Sequence, residues 1–377
     1  MILEQTHLLS ANDWRTRLLN WYDVNKREFP WRHHVSPYLT WICEVMSQQT
    51  TLVVVVPRFN EFIKTLPSVH ALADVSDETL RSLWAGLGYY ARARNLRSGA
   101  KYIVAQLGGA FPQTFEEWLK VPGVGPYTAS VIVSICFGLP KACVDGNVVR
   151  VMSRLTGTSS PDIWSESGRL EIQRLADQVI DHTRPGDFNQ AMMELGALLC
   201  RKQTPDCGSC PVQSVCHANK MKIVENCPPN KPRKEFLHVK LFALILSFKD
   251  EISGMNECIL LAQRQRGFLA GTLGFPLIPI KDSLAREQLR IALEQLSDVA
   301  SVSLSEMNVR HTITRHKLEV GQLRIDIQPQ QGAAEAVVKN IFKALGLQLD
   351  RDTWVSKNLV SEKVSSGLDL KVWEKIS

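Results

Sequence analysis

"LKVPGVGPYTASVI", residues 119–132, brings two helical segments together at the turn Pro122, Gly123, Val124, Gly125. Glycines lack Cβ, so the backbone there can approach another molecule closely, and the free N–H groups opening the next helix can cradle a phosphate. A G-x-G turn by itself is more often only a turn. The flanks decide its reading: Thr114 and Glu117 form a capping box that opens a helix over 115–120, and an apolar run follows the second glycine. Two helices hinged on such a turn, in a chain with formal net charge +6, predict a grip on a phosphate backbone that reads no base sequence.

The segments around the turn are helical as well. Ser10 reads as an N-cap with Asp13 three residues on, before Trp14, Leu18 and Trp21. Ser36 and Pro37 open a helix in which Leu39, Ile42, Val45 and Met46 share one face, while Glu44, Ser47 and Gln48 fall on the other. "LVVVV" at 52–56 suggests a strand by β-branched propensity. Leu52, Val55, Val56, Phe59, Phe62, Ile63 and Leu66 nevertheless recur at steps of three and four, which predicts a helix with Pro57 as a local disturbance. Further helices are expected at 76–84 and 89–107, and Phe188, Met192, Leu195 and Leu199 mark another. The region to residue 217 thus reads as mainly α. "NKMKIVENCPPNKPRKEF" then breaks the period, so 218–236 reads as an exposed connector. Beyond it, "HVKLFALILSF" and "CILLAQR" look like paired strands, "DSLAREQLRIALEQL" like an amphipathic helix and "KLEVGQLRIDI" like another strand. Residues 237–377 are therefore expected to form an α+β domain.

A chain of 377 residues has room for two domains and a large core. No run approaches the roughly 18 apolar residues of a membrane span and the N-terminus has no signal-like core, so a cytoplasmic protein without a membrane partner is expected. Nine cysteines do not make the dense framework of a small secreted domain. Cys43, Cys136, Cys143, Cys227 and Cys258 read as small apolar side chains. Cys200, Cys207, Cys210 and Cys216, spaced C-x6-C-x2-C-x5-C, supply four soft ligands for one metal centre, either zinc or an iron-sulfur cluster.

Two acids stand out. Glu44 in "WICEVMSQQTT" (41–51) reads by pattern alone as a solvated acid on an amphipathic helix. Asp145 in "ACVDGNVVRVMSR" precedes a glycine and a helix, the position of an N-cap.

Taken together, "FPWR" at 29–32, "EVMSQQT" at 44–50, "GLGYYARARNL" at 86–96, the Gly turn, "VDGNV" and the cysteine loop resemble, in order, the MutY-type adenine DNA glycosylases of the endonuclease III superfamily. The resemblance implies a helix-hairpin-helix glycosylase fold with an iron-sulfur loop at 200–216, followed by a Nudix-like domain. It makes the Gly123 and Gly125 turn the DNA-gripping hairpin and assigns the four cysteines to one 4Fe-4S cluster. Glu44 becomes the general acid that protonates adenine, and Asp145 the carboxylate that stabilises the oxocarbenium-like sugar, with Tyr127 and Asn147 as hydrogen-bonding partners. Tyr127 stands where bifunctional members carry a Schiff-base lysine, which together with Glu44 implies a monofunctional enzyme. Gln49 and Tyr89 match residues that wedge the duplex open, with Gln48 beside them, while Arg32 and Gln190 contact the extruded base. Arg92, Arg94, Arg97, Arg201 and Lys202 are candidate phosphate contacts.

In the C-terminal part, "FLAGTLGFP" (268–276) echoes the family's Gly-Leu-Trp-x-Phe-Pro stretch with Thr272 and Leu273 substituted. Thr314, Arg315 and His316 stand where the family has a Phe-Ser-His loop that recognises 8-oxoguanine, and "REQLR" (286–290) lacks a catalytic Nudix box. The implied partner is double-stranded DNA carrying A:8-oxoG or A:G mispairs, acted on by a monomer at a bacterial nucleoid. Competing readings are excision of thymine opposite guanine, a non-catalytic redox-sensing iron-sulfur DNA-binding protein, and a Nudix hydrolase, the last weakened by the missing box.

Overall fold

The computed structural model describes residues 13–232, 235–250, 255–264, 267–270, 272–280, 291, 300–327, 334–345, 347, 352–364 and 366–376. Ser10 and all of the helix expected over "DSLAREQLRIALEQL" except Ile291, including "REQLR", lie outside them. The chain divides into two compact units, 1–232 and 233–377.

The first unit is helical. Its main elements are α1 (Asp13–Asn25), α2 (Pro37–Ser47), α3 (Leu52–Thr65), α4 (Ala91–Leu107), α5 (Phe115–Trp118), α6 (Pro126–Phe137), α7 (Gly146–Thr156), α8 (Glu166–Val179) and α9 (Pro185–Leu198), with shorter turns between them. Local chemistry sets their starts. Ser36 caps α2 by accepting from Leu39 N, with Pro37 in the first turn, and Thr114 and Glu117 form both halves of the capping box on α5. Such caps each contribute about 1 kcal/mol. The "LVVVV" stretch is helical with Pro57 inside α3, because helical spacing puts Val55, Phe59 and Phe62 into the core.

Two apolar clusters form the interior. One gathers α2 to α6 around Trp41, Trp84 and Trp118; the other gathers α1 and α7 to α9 around Trp14, Met152 and Leu195. Helix α6 packs against both α2 and α9 and buries every residue from Thr128 to Ser134, as expected for a helix apolar on all sides. Trp41 and Trp118 meet edge to face at 5.8 Å, tying the segment before the glycine turn to the helix that carries Glu44. The turn sits on α4 through Gly99, where a Cβ would come within 2.8 Å of the Trp41 ring and 2.9 Å of Pro122 O.

Part of the stretch expected as an exposed connector is packed instead. Ala218 and Cys227 are buried, and the Cys227 and Pro229 carbonyls accept from Arg154 Nε and Trp164 Nε1, both at 2.8 Å. A buried arginine with carbonyls to satisfy holds a polar, proline-rich stretch in place that periodicity alone reads as loose.

The second unit is α+β, with strands β1 (Leu237–Asp250), β2 (Met255–Gln263), β3 (Leu273–Gly274), β4 (Leu277–Ile280), β5 (Ala300–Leu304), β6 (Val309–Ile313), β7 (His316–Ile327) and β8 (Asp352–Ser356) in a mixed sheet ordered β3-β2-β1-β7-β5; β4 also pairs β1, β6 pairs β7 and β8 pairs β2. Strands β1 and β2 are antiparallel neighbours, and β7 runs parallel to β1 from Leu237↔His316 to Phe248↔Ile327. The unbroken apolar run of β1 has a simple cause. Leu241, Ala243 and Ile245 face a core completed by α11 (Gly367–Trp373), while Phe242, Leu244 and Leu246 face one completed by α10 (Ala334–Ala344). Arg264 and Asp369 form a buried ion pair closed further by Ser366, Thr272 and the Phe275 backbone.

Candidate active site

A cleft of about 770 Å³ opens in the helical unit and is lined by Glu44, Gln48, Gln49, Tyr127, Asp145, Asn147, Arg32 and Gln190, among others. Eight residues that the sequence pointed to, from segments more than 150 positions apart, thus line one cleft. Glu44 occupies the polar side of α2, whose Trp41, Ile42, Cys43, Val45 and Met46 are all buried. Its carboxyl meets a cleft rather than bulk water, and the solvated reading of this acid does not hold. Burial pushes the Glu44 carboxyl up to about 7; Asp145 adds to the rise, while the Tyr127 hydroxyl and Arg32 oppose it. A carboxyl so tuned can carry a proton near neutrality. The Tyr127 hydroxyl also lies 3.5 Å from Met193 Sδ.

Asp145 is the N-cap of α7: Oδ1 accepts from Val148 N at 2.7 Å, and Oδ2 accepts from Asn147 Nδ2 at 3.0 Å. Burial raises its pKa, and these donors, with the Arg150 charge, pull it back. Every such donor favours the ionised form. Asn147 in turn accepts from Arg150 Nη2 at 2.9 Å, and Arg150 also donates to the Gly196 and Cys200 carbonyls. The segment entering Asp145 is held by buried Asn189, which accepts from Cys143 N and donates to Ser134 Oγ and the Lys141 carbonyl.

Arg32 also lines the cleft, donating to Gln190 Oε1 and Glu194 Oε1, each at 2.9 Å. Glu194 is 2% exposed and also accepts from Arg27 Nε at 2.8 Å. Sequence reasoning missed Glu194, Asn189, Arg27 and Arg150. For Glu194 a signal existed, since it lies four residues after Gln190 and therefore shares that residue's face of α9.

Cys200, Cys207, Cys210 and Cys216 line one small cavity and are all unpaired thiols. Buried Arg154 sets its guanidinium there, with Nη1 3.2 Å from Cys200 Sγ and 2.8 Å from the Arg201 carbonyl. Among the described residues no group of three or more His, Cys, Asp or Glu is drawn close enough to hold a single metal ion. Arg201 and Lys202 are exposed on this loop.

Gly123 and Gly125 lie outside the cleft. Gly123 has φ of +82° and its Cβ would fall 2.6 Å from Asn95 Cβ, so the position demands glycine, whereas a Cβ at Gly125 would meet nothing within 4 Å. That open side leads to the first turn of α6. Arg92 and Arg97 correct an expectation. Neither is free for phosphates: Arg97 binds the Val75 carbonyl and Asp77, and Arg92 is spent on backbone carbonyls within the fold.

In the second unit, Ile313 pairs His316 across a two-residue hairpin whose tip is Thr314 and Arg315, both exposed. Thr314 has φ of +52°, the left-handed conformation that such a turn requires. His316 packs edge to face on Phe268 at 5.1 Å. The substituted Thr272 is buried and serves the Arg264 pair.

Comparison with known proteins bears on this arrangement. Residues 42–167 match the family described as HhH-GPD superfamily base excision DNA repair protein. An adenine DNA glycosylase of Homo sapiens is 36% identical over 345 residues, covering 79% of this chain and 63% of that protein. One from Rattus norvegicus is 44% identical over 54% of this chain and 41% of its own length, so the chain spans only part of these relatives. One from Buchnera aphidicola subsp. Baizongia pistaciae is 36% identical over 62% of this chain and 67% of its own length. Among solved structures, a thermostable thymine-DNA glycosylase is similar at 26% identity and a TM-score of 0.51, covering 55% of this chain and 95% of that one. On these grounds the chain belongs to the adenine DNA glycosylase family, within the helix-hairpin-helix superfamily of base excision repair proteins.

Proposed function

We propose that the protein removes adenine mispaired with 8-oxoguanine or guanine in double-stranded DNA, leaving an abasic site. The observation that carries this reading is the pair of carboxylates in one cleft, Glu44 held near a neutral pKa and Asp145 surrounded by donors that favour its charge. Glu44 gives its proton to adenine N7, the C1′–N9 bond breaks with its electrons going to the base, and Asp145 stabilises the positive sugar until water adds at C1′. Glu44, now ionised, accepts the proton that water loses. Tyr127 has no amine to form a Schiff base, so the reaction ends at hydrolysis without strand cleavage.

Arg32 and Gln190 line the wall that meets the extruded base, with Glu194 fixing the guanidinium. Gln49 and Tyr89, helped by Gln48, fill the gap that the base leaves. The N–H groups at the Gly123 and Gly125 turn hold a backbone phosphate, and Thr314, Arg315 and His316 at the hairpin tip meet 8-oxoguanine. Cys200, Cys207, Cys210 and Cys216 hold one 4Fe-4S cluster, whose contribution is to fold the loop that presents Arg201 and Lys202 to DNA. The chain acts as a monomer, since one copy carries both carboxylates, and in a bacterium its substrate places it at the nucleoid in the cytoplasm.

The test is single-turnover incubation with duplexes carrying A opposite 8-oxoG, A opposite G, or T opposite G. Adenine release from the first two is expected; thymine release without adenine release overturns the reading. The same preparation should contain iron and acid-labile sulfide, and stoichiometric zinc in their place would refute the cluster.

A further inference from the structure

Outside the cleft, the Arg92 side chain donates to six acceptors. Its Nη1 donates to the carbonyls of Val45 at 2.7 Å, Met46 at 3.0 Å and Gln48 at 2.5 Å, which end helix α2. Its Nη2 donates to Thr50 Oγ1 at 3.1 Å and to the Leu87 and Gly88 carbonyls at 2.9 and 3.3 Å. Thr50 Oγ1 reaches the same Leu87 carbonyl at 3.3 Å, so the 47–50 turn and the 87–89 loop are tied to each other as well as to the guanidinium. The guanidinium carbon lies 5.6 Å from both the Trp84 and Tyr89 ring centroids.

The two residues that adjoin these bonds are unusual in the same way. Gln49 has φ of +58° and Tyr89 +47°, left-handed values that neither residue adopts without cost, and both side chains are exposed. Strained backbone of this kind persists only where its surroundings over-determine it. Here a single planar cation satisfies the carbonyls on both sides, and its rigid fork makes the two turns one unit.

We infer that Arg92 is a positioning residue that locks Gln49 and Tyr89 together as a preformed two-pronged wedge, so that the protein meets the duplex with its gap-filling groups already in place. This rests on the adenine-excision reading above. A preformed wedge lowers the cost of extruding a base, because the strain is already offset in the free protein rather than at the moment of opening. The role is distinct from phosphate binding, since the hydrogen-bonded guanidinium nitrogens are committed inside the protein.

The discriminating measurement compares two substrates. One is a fully paired duplex with adenine opposite 8-oxoguanine; the other carries mismatched pairs on both sides of that adenine, so that extrusion needs little help. Arg92→Lys keeps the charge but loses the fork, and adenine release from the paired duplex should fall about tenfold or more, by loss of charge-assisted hydrogen bonds. On the loosened duplex the loss should shrink to about twofold, because the unstacking cost is already met. Arg92→Lys combined with Gln49→Ala should be no slower than the slower single variant. Equal losses on both substrates, or additive losses in the double variant, overturn the inference while leaving adenine excision standing. Wild-type protein that releases no adenine from either duplex overturns the excision reading and the inference with it. Should Arg92→Lys not fold, Thr50→Val, which removes one guanidinium partner and the bond to Leu87, is scored by the same comparison.

Discussion

The molecule buries acids in two contrasting ways. In the second unit, Asp369 is fully enclosed and meets Arg264, Ser366 and the Phe275 N–H, with Gly274 so close that a Cβ there would fall 2.3 Å from its Oδ2. In the helical unit, Glu44 has burial and the Asp145 charge raising its carboxyl to about 7 against the Tyr127 hydroxyl and the Arg32 charge. The first arrangement is closed and specifies one way for helix α11 to seat on the sheet. The second leaves a proton available. The fully enclosed and fully paired acid is structural, and the half-buried acid that faces a cleft is the one whose proton can be exchanged.

The largest effect should follow from removing the available proton. Glu44→Gln keeps the side chain's size and should lower single-turnover adenine release by about 10²- to 10⁴-fold, the usual worth of a positioned general acid, with DNA affinity retained in a filter-binding assay. Undiminished turnover would end the assignment. Breaking the closed arrangement should instead cost stability. Asp369→Ala leaves Arg264 buried without its carboxylate and should destabilise the second unit by about 3–5 kcal/mol in denaturant unfolding. A loss under about 1 kcal/mol would mean that the pair is not the buried ion pair described.

The smallest effect sharpens the contrast through pH. Glu44 binds its proton more tightly in the folded chain, near 7, than the ordinary value of 4.5. For an acid raised in this way, the native state holds the extra proton between those values. Stability is therefore unaffected below about pH 4.5, falls as pH rises towards 7, and then stays lower by at most on the order of 3 kcal/mol. Denaturation of wild type and Glu44→Gln at several pH values between 5 and 8 should show a flatter dependence in the variant.

Much of the helical unit was legible because its signals are local. The capping box at Thr114, the period through Leu52–Thr65 and the cap at Ser36 each need only a few neighbouring residues. The acids and the side chains that share their cleft were found, but the supports behind them, Glu194, Asn189, Arg27 and Arg150, were not. Glu44 reads as a surface residue until α6, α7 and α9 supply the other walls of the cleft. Arg92 reads as a basic residue on a helix face, because its partners are mostly backbone carbonyls, three of them more than forty positions away, and carbonyls leave no mark in a sequence. The parallel pairing of β1 with β7 was equally hidden. An apolar run declares a strand covered on both faces, not which distant strand lies beside it.

Asp145 caps α7 and faces the cleft with the same carboxylate. If Asp145 stabilises the sugar as proposed, helix and chemistry set separate demands on one side chain. Asparagine meets the demand of the helix and not that of the sugar, whereas glutamate keeps the charge but is one methylene too long for an N-cap. On the proposed reading, the short acid here is a compromise between two geometries that neither of those neighbours in size or charge meets.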